Sequence, residues 1–438
     1  MAIGVVSFVA MSTSFRGILG AMVEATAAIV ALSLVSSCGQ STSTPPASTN
    51  QTAGTSTSAG TSTSSGDGAT SGGVTSGGAT SGGATSGGGQ SGSNTSTGGA
   101  GGAPGTGGAG GAPGTAGSGV MTEGGSGAPL TIYWIDVEGG AATILVAPNG
   151  QTIVVDGGYP GARDPERIAK VLKDEIRAQS IDYMITTHYH TDHVGGVPTL
   201  AGLIPIQRYY DHGPTVEQSG NFNNYVTTAG TKRVTGKPGD KLTLGDLLIT
   251  FVTSHGAVID PPLPRGGAAN PLCANASSKG DNSGNENPMS LGFVATFGSF
   301  TFVDLGDLTW NVEQKLMCPT NRIGTADIYQ VNHHGMDISN SPQLVHALAP
   351  TVAVMDNGAT KGGDAAAFDV IKASPGLKDL WSLHRVNRND AQHNAAEDLT
   401  ANLDGPDAAH SIKAVIQPSG AYTITNARNG ASRTYASR

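Results

Sequence analysis

Cysteine is close to absent from this chain: Cys38, Cys273 and Cys318 are the only three in 438 residues. That excludes a disulfide scaffold and a four-cysteine zinc cage. Aromatic residues make up 5% and charged residues 13% of the sequence, and the shortage is uneven. The first 128 residues hold four charges, Arg16, Glu24, Asp67 and Glu123. From 39 to 128 there is no aliphatic or aromatic cluster, so that stretch cannot bury enough apolar surface to offset its ordering entropy. An excess of basic residues is also missing. Setting aside the one base and three acids of the front segment leaves 23 bases and 30 acids, a net charge of −7 for the last 310 residues. A surface built for strong non-specific nucleic-acid binding is therefore not expected, although a local basic groove remains open.

What fills the front of the chain is glycine, serine, threonine and alanine. Of 65 glycines, 26 fall between 51 and 120. The repeats there are short and compositional: TSGGA-like pentads over 70–88 and GGAPGT at 101–106 and 110–115. None has a hydrophobic face to stack, so they are not solenoid units. As a flexible coil, some 90 such residues would span about 50 Å root-mean-square. Ahead of them, ATAAIVALSLV at 25–35 has the length of a signal-peptide core and is too short to cross a bilayer. Val35-Ser36-Ser37-Cys38 resembles a bacterial lipobox, in which the cysteine is lipidated and becomes the mature N-terminus. A plain cleaved secretory signal is the other reading, and Met11 is an alternative start. The expected organisation is a signal segment over 1–38, a disordered linker over 39–128, and one folded domain over 129–438. The protein is then an exported cell-envelope lipoprotein, or a secreted one, anchored to the membrane through Cys38.

The folded part opens with apolar, β-branched runs. LTIYWIDV (130–137), ATILVA (142–147) and QTIVVD (151–156) read as strands, the last two joined by a turn at Asn149-Gly150. Asp164-Pro165 reads as a helix start, Asp as N-cap and Pro at the first helical position, followed by Ile168, Val171, Leu172 and Ile176 at helical spacing. The strand Ile181–Thr187 runs into His188. Hairpins are expected over Lys241–Ser254, turning at Gly245-Asp246, and over Ser290–Leu305, turning at Gly298-Ser299. Strand Asp327–Asn332, helix Pro342–Leu348 and strand Thr351–Met355 follow. A hairpin over Ile412–Arg428 closes the chain. Strands followed by alternation with helices indicate an α/β layered sandwich.

The sharpest signal is His188-Tyr189-His190-Thr191-Asp192-His193. Alternate residues at a strand end point the same way, so His188 and His190 can hold one ion together. Asp192 and His193 turn to the other side and suit a second ion with harder ligand character. With Asp156 (IVVDGG), His255 (VTSHG), Asp307 (DLGD) and His333-His334 (VNHHG) in that order, the chain resembles the metallo-β-lactamase superfamily over about 130–430. The resemblance implies a four-layer αββα sandwich with a dinuclear site on one sheet edge. It implies His188, His190 and His255 on metal one, and Asp192, His193 and one of His333 or His334 on metal two. Asp307 would bridge them, and Asp156 would orient a ligand histidine. His333 is the expected ligand and His334 the residue next to the substrate, alongside Asp192 and Asp307 as catalytic groups, although the order of the two histidines stays open. Two divalent ions are implied, zinc first because histidine supplies most ligands, with manganese also compatible. The chemistry implied is hydrolysis by metal-activated hydroxide.

Asp136-Val137-Glu138-Gly139-Gly140-Ala141, Ser290-Leu291, Gly306-Asp307 and His333-His334-Gly335 with Ser339 and Ser341 resemble the soluble domain of the competence protein ComEC. That resemblance implies a phosphoester or phosphodiester substrate. Lactam, lactone or thioester hydrolysis is the enzymatic alternative, and a metal-stabilised, non-catalytic surface protein is the other. His212 (YYDHGP), His384 and Lys361 (ATKGGD) are the expected substrate contacts. Cys273 and Cys318 flank the Asp307 hairpin and form an expected single disulfide in an exported protein.

Overall fold

The computed structural model describes residues 127–279, 284–404 and 407–438. The expected signal segment, the lipobox-like cysteine and most of the low-complexity stretch lie outside the described residues. Two sheets carry the rest. The chain enters through β1 (Leu130–Trp134), β2 (Thr143–Val146) and β3 (Thr152–Val155), an antiparallel meander whose β2–β3 register pairs Val146 with Thr152. Helix α1 (Arg163–Lys170) returns the chain to β4 (Ile181–Ile185), parallel to β3. A single-turn helix α2 (Thr191–Val194) and α3 (Val197–Leu203) lead to β5 (Ile206–Asp211). Helix α4 (Gly220–Ala229) then leads to β6 (Arg233–Thr235). The second sheet starts with β7 (Lys241–Leu244) and β8 (Leu247–Ser254), with a two-residue β9 (Ala257–Val258) folding back on β8.

After the short β10 (Ala268–Ala269) come β11 (Gly292–Phe297) and β12 (Phe300–Asp304), then α5 (Trp310–Met317) and β13 (Thr320–Asn321), which pairs with β10. Strand β14 (Ile328–Gln330), α6 (Pro342–Leu348), β15 (Val352–Met355), α7 (Ala365–Lys372), β16 (Asp379–His384) and β17 (Thr400–Asn402) form a parallel run. The chain then returns to the first sheet as β18 (Ile412–Ile416), β19 (Ala421–Asn426) and β20 (Ser432–Ala436). The first sheet runs β20-β19-β18-β1-β2-β3-β4-β5-β6. The second runs β17-β16-β15-β14-β12-β11-β8-β7.

Three buried clusters define the layers. Leu130, Ile132, Trp134 and Leu145 from one sheet meet Phe251, Phe293, Phe302 and Trp381 from the other, so the main core lies between the sheets. On the outer face of the first sheet, Ile144 and Met184 pack against Ile168, Leu172 and Leu200 of the flanking helices. On the outer face of the second, Val303 and Tyr329 pack against Leu316, Leu344 and Phe368. The order helix, sheet, sheet, helix is the four-layer αββα sandwich the sequence implied.

The hairpins turn where their residues allow. Leu244 pairs with Leu247 and Phe297 with Phe300, leaving Gly245-Asp246 and Gly298-Ser299 as two-residue turns with positive φ at each glycine. One expected cap differs. Helix α1 starts at Arg163, one residue before Asp164, and Asp164 does not cap it. Its buried carboxylate instead accepts from the Tyr159 amide (2.8 Å) and the Arg163 Nε (2.5 Å), which fixes the loop leading into the helix. The C-terminal hairpin also gains a third strand, β20.

Candidate metal centre

The residues singled out from the sequence stand at the carboxyl ends of strands: Asp156 after β3, His188 after β4, His255 after β8, Asp307 after β12, and His333-His334 after β14. One helical turn converts the histidine motif into a cup. The His190 carbonyl accepts from the His193 and Val194 amides (3.1 and 3.0 Å), so Asp192 and His193 swing round beside His188. The glycines after them permit this. A Cβ on Gly196 would stand 2.1 Å from the Gly157 carbonyl oxygen, so only glycine lets the turn press onto the loop after β3.

Two groups of ligand atoms converge. Asp192, His193, His334 and Asp307 form one; His188, His190 and Asp307 form the other. Asp307 is common to both. In the first, His334 Nε2 stands 3.1 Å from Asp192 Oδ2 and 3.1 Å from His193 Nε2. His193 Nε2 is 3.3 Å from an oxygen of each aspartate. In the second, His188 Nε2 is 3.0 Å from His190 Nδ1 and 3.7 Å from Asp307 Oδ2. All these residues are buried except the half-buried His190.

Behind the ligands sits a layer of orienting groups. Asp156 Oδ2 lies 2.8 Å from His193 Nδ1, while its carboxylate also accepts from the Thr187 amide (2.8 Å) and hydroxyl (2.7 Å). Asp356 Oδ1 lies 3.3 Å from His334 Nδ1; both atoms are buried and lack a better partner among the described residues. Burial works against charge on His193, but the carboxylates of Asp307, Asp192 and Asp156 outweigh it and hold its pKa well above the usual imidazole value. For Asp307 the balance is the mirror image. Burial would raise its pKa, and His193, His333, His334 and His188 hold it well below the carboxylate range. Asp304, fully enclosed behind them with Asp156 and Asp356 nearby, is pushed up to about 7, chiefly by burial.

Imidazole nitrogens gathered at about 3 Å around carboxylate oxygens fit divalent cations, whose ligands must converge deprotonated. An all-nitrogen-and-oxygen donor set suits zinc and also admits manganese.

Four placements differ from expectation. His334, not His333, joins Asp192 and His193. The chain bends through positive φ at both histidines, sending the His333 ring instead to Asn287 Nδ2 (3.3 Å), Ser339 Oγ (3.2 Å) and Asp307 Oδ2 (3.3 Å). His255 stands outside both groups. Its positive φ carries β8 into β9, and its exposed ring stacks on His212, with the two Nδ1 atoms 3.5 Å apart. His212 is buried rather than facing the cleft, held by Glu286 Oε2 at 2.8 Å and lying against Tyr189. His384 is buried as well. Its Nε2 meets Asp136 Oδ1 at 2.7 Å, which gives the enclosed Asp136 a second partner beside Arg167. Lys361 does reach the site, with its ammonium on the Asp192 carboxylate and 5.6 Å from the Tyr159 ring centroid. The sequence reading missed Asp356, yet a signal for it existed. VAVMD ends a core strand in aspartate, as IVVD does at Asp156 and FTFVD at Asp304.

Residues 136–269 match the model of the metallo-beta-lactamase superfamily. The lactamase-like protein aptB of Emericella nidulans is 32% identical over 120 residues, 26% of this chain and 36% of that protein. The thioesterase pkgB of the same organism is 30% identical over 102 residues, 23% of this chain and 29% of that one. The matches thus span about a third of the length of these relatives. Among solved structures, the metallo-beta-lactamase fold protein YhfI from Bacillus subtilis is 15% identical with a TM-score of 0.38, covering 58% of this chain and 96% of that one. The subclass B3 metallo-beta-lactamase MEM-A1 from a soil metagenome library is 14% identical with a TM-score of 0.31, covering 46% of this chain and 76% of that one.

Proposed function

We propose that this metallo-β-lactamase-superfamily domain is a dinuclear metal-dependent hydrolase, acting on a phosphoester or phosphodiester. The observation that carries the hydrolase reading is the pair of ligand groups sharing Asp307. Structural zinc sites are isolated four-ligand cages, whereas here a four-residue group and a three-residue group share one carboxylate. Bound there, divalent ions would polarise the electrophile and bring the pKa of a water near neutrality. The chain's own residues do the rest. Asp156 and Asp356 fix the rings of His193 and His334, and Asn287 and Ser339 fix His333 next to Asp307. His333 lies outside both ligand groups, with Nε2 3.3 Å from Asp307 Oδ2, and so stands beside the reacting centre.

The phosphoester class rests on the competence-type motifs, with Ser290 hydrogen-bonded to the Asp307 amide (3.2 Å) as one of them. A second reading, acyl hydrolysis of a thioester or lactam, is favoured by the names of the relatives at 30–32% identity. We place the domain on an exported, lipid-anchored tether from Cys38, for which loss of lipid labelling in Cys38→Ala is the check.

The deciding experiment pairs metal content of the full chain, purified without chelator, with turnover of bis(p-nitrophenyl) phosphate and of a neutral thioester. Two metal equivalents and diester turnover that disappears in His190→Ala are expected. Two equivalents with thioester turnover alone would move the substrate class to acyl compounds. One equivalent or none, even after titration with excess zinc, would end the dinuclear reading.

A further inference from the structure

The loop after β15 delivers a cation into the ligand group of Asp192, His193 and His334, and it is tied in place by the protein around it. The Gly358 amide donates to the Lys361 carbonyl (2.9 Å), closing a turn, and the Gly363 amide donates to the His334 carbonyl (2.8 Å). Arg388 donates to the carbonyls of Thr360 (3.1 Å) and Gly362 (2.6 Å), and Asn389 Nδ2 to that of Gly363 (2.7 Å). At Gly362, φ +72, a Cβ would stand 2.1 Å from the His334 carbonyl oxygen. The loop therefore rides directly on the backbone of a ligand histidine. A Cβ on Gly139 would stand 3.2 Å from that of Lys361, whose side chain is 30% exposed and whose ammonium contacts Asp192 Oδ2. That is the same oxygen that His334 Nε2 and His193 Nε2 approach. The other ligand group has the opposite decoration. His190 Nε2 faces the Glu217 carboxylate at 3.5 Å.

We propose that Lys361 is an internal counter-cation for Asp192 that competes with the second metal ion. The two positions then load unequally: the group of His188, His190 and Asp307 fills first, and the group of Asp192, His193, His334 and Asp307 fills only as the ammonium leaves Asp192. The reason is electrostatic. Two unit charges a few ångströms apart interact several-fold more strongly at the effective dielectric of a protein surface than in water. A divalent ion on Asp192 would meet twice that repulsion from an ammonium left beside it. The second position thus becomes a conditional one, filled when metal is plentiful. This inference rests on the dinuclear reading above.

The test is a cobalt titration of the full-length, metal-stripped chain followed by calorimetry and by the visible absorption of bound cobalt. The wild type is expected to show two affinity classes at least tenfold apart. Lys361→Met should tighten the weaker class by at least about tenfold, the equivalent of 1.4 kcal/mol, and leave the tighter class alone. Lys361→Arg, which keeps the charge, should stay close to wild type. Lys361→Gln repeats the neutral test if the methionine variant folds poorly by circular dichroism. Two ions in every protein, with both constants in Lys361→Met within twofold of wild type, would overturn the competition while sparing the dinuclear centre. A single ion in wild type and neutral variants alike would overturn the dinuclear reading and this inference together.

Discussion

From one buried position, the carboxylate of Asp156 holds the Thr187 amide, the Thr187 hydroxyl and the outer nitrogen of His193. Replacing it with asparagine keeps the shape and removes the charge that orients and polarises the ring. Loss of such an outer partner costs about 10–100-fold in metal affinity, so Asp156→Asn should show that loss by metal titration with its circular dichroism unchanged. Glu286 gives a prediction in pH. Burial alone would raise its pKa, but the His212 ring, the Thr215 hydroxyl and the Val216 amide together bring it down to about 2. A carboxylate depressed in the folded state stabilises fully above its unfolded value and loses that contribution as pH falls through the folded one. Urea unfolding should therefore find Glu286→Gln less stable than the parent at neutral pH. The gap should narrow as pH drops from about 4.5 toward about 2; a gap independent of pH would refute the assignment. At this scale the histidine motif was legible in the sequence because its signal is local, six consecutive residues at a strand end. The surroundings of His255 and His212 were not legible there, because His212 is held by Glu286, 74 residues further on, and His255 stacks on His212.

The elements carrying the site are short, and long-range ties hold them. Helix α5 is fastened at both ends. The buried Glu313 accepts from the Asn340 and Ser341 amides (2.8 and 2.7 Å) and from Asn332 Nδ2 (2.8 Å), so it clamps the loop bearing His333 and His334. At the helix's far end Cys318 pairs with Cys273, joining it to the turn at Pro271–Asn275. That pairing closes a loop of 45 residues containing β11 and β12. Chain entropy assigns such a closure about 4 kcal/mol. The double variant Cys273→Ser, Cys318→Ser should accordingly lose roughly 2–4 kcal/mol in denaturant unfolding, and reductant should lower the parent but not the variant. The same contrast explains which elements were legible in the sequence. The β7–β8 and β11–β12 hairpins were, because Gly245-Asp246 and Gly298-Ser299 spell their turns locally. Strands β5, β16, β17 and β20 and helices α4, α5 and α7 were not. They have three to ten residues each, and their identity depends on which neighbour they pack against.

At the scale of the whole molecule the centre joins the two sheets. His188, His190, Asp192 and His193 belong to loops of the first sheet, Asp307, His334 and Lys361 to loops of the second, and their atoms meet across the seam. The seam is also rich in acid. Asp156, Asp192, Asp304, Asp307 and Asp356 are all buried there, and like charges at such distances repel unless cations sit between them. Ions bound by ligands from both sheets would relieve that repulsion and cross-link the sandwich, and would find no comparable site in the unfolded chain. A ligand at about 100 times its dissociation constant stabilises by about 2.7 kcal/mol, and for a domain of this size each kcal/mol moves the melting temperature by about 2–4 °C. Chelation should lower the melting temperature of the full chain by about 5 °C or more, and zinc should restore it. In His190→Ala the response to chelator should shrink, because one ligand group is broken. A melting temperature indifferent to chelator and to added zinc would mean that the two sheets are held by their shared apolar core alone, with the buried aspartates balanced by histidine and Lys361 charge.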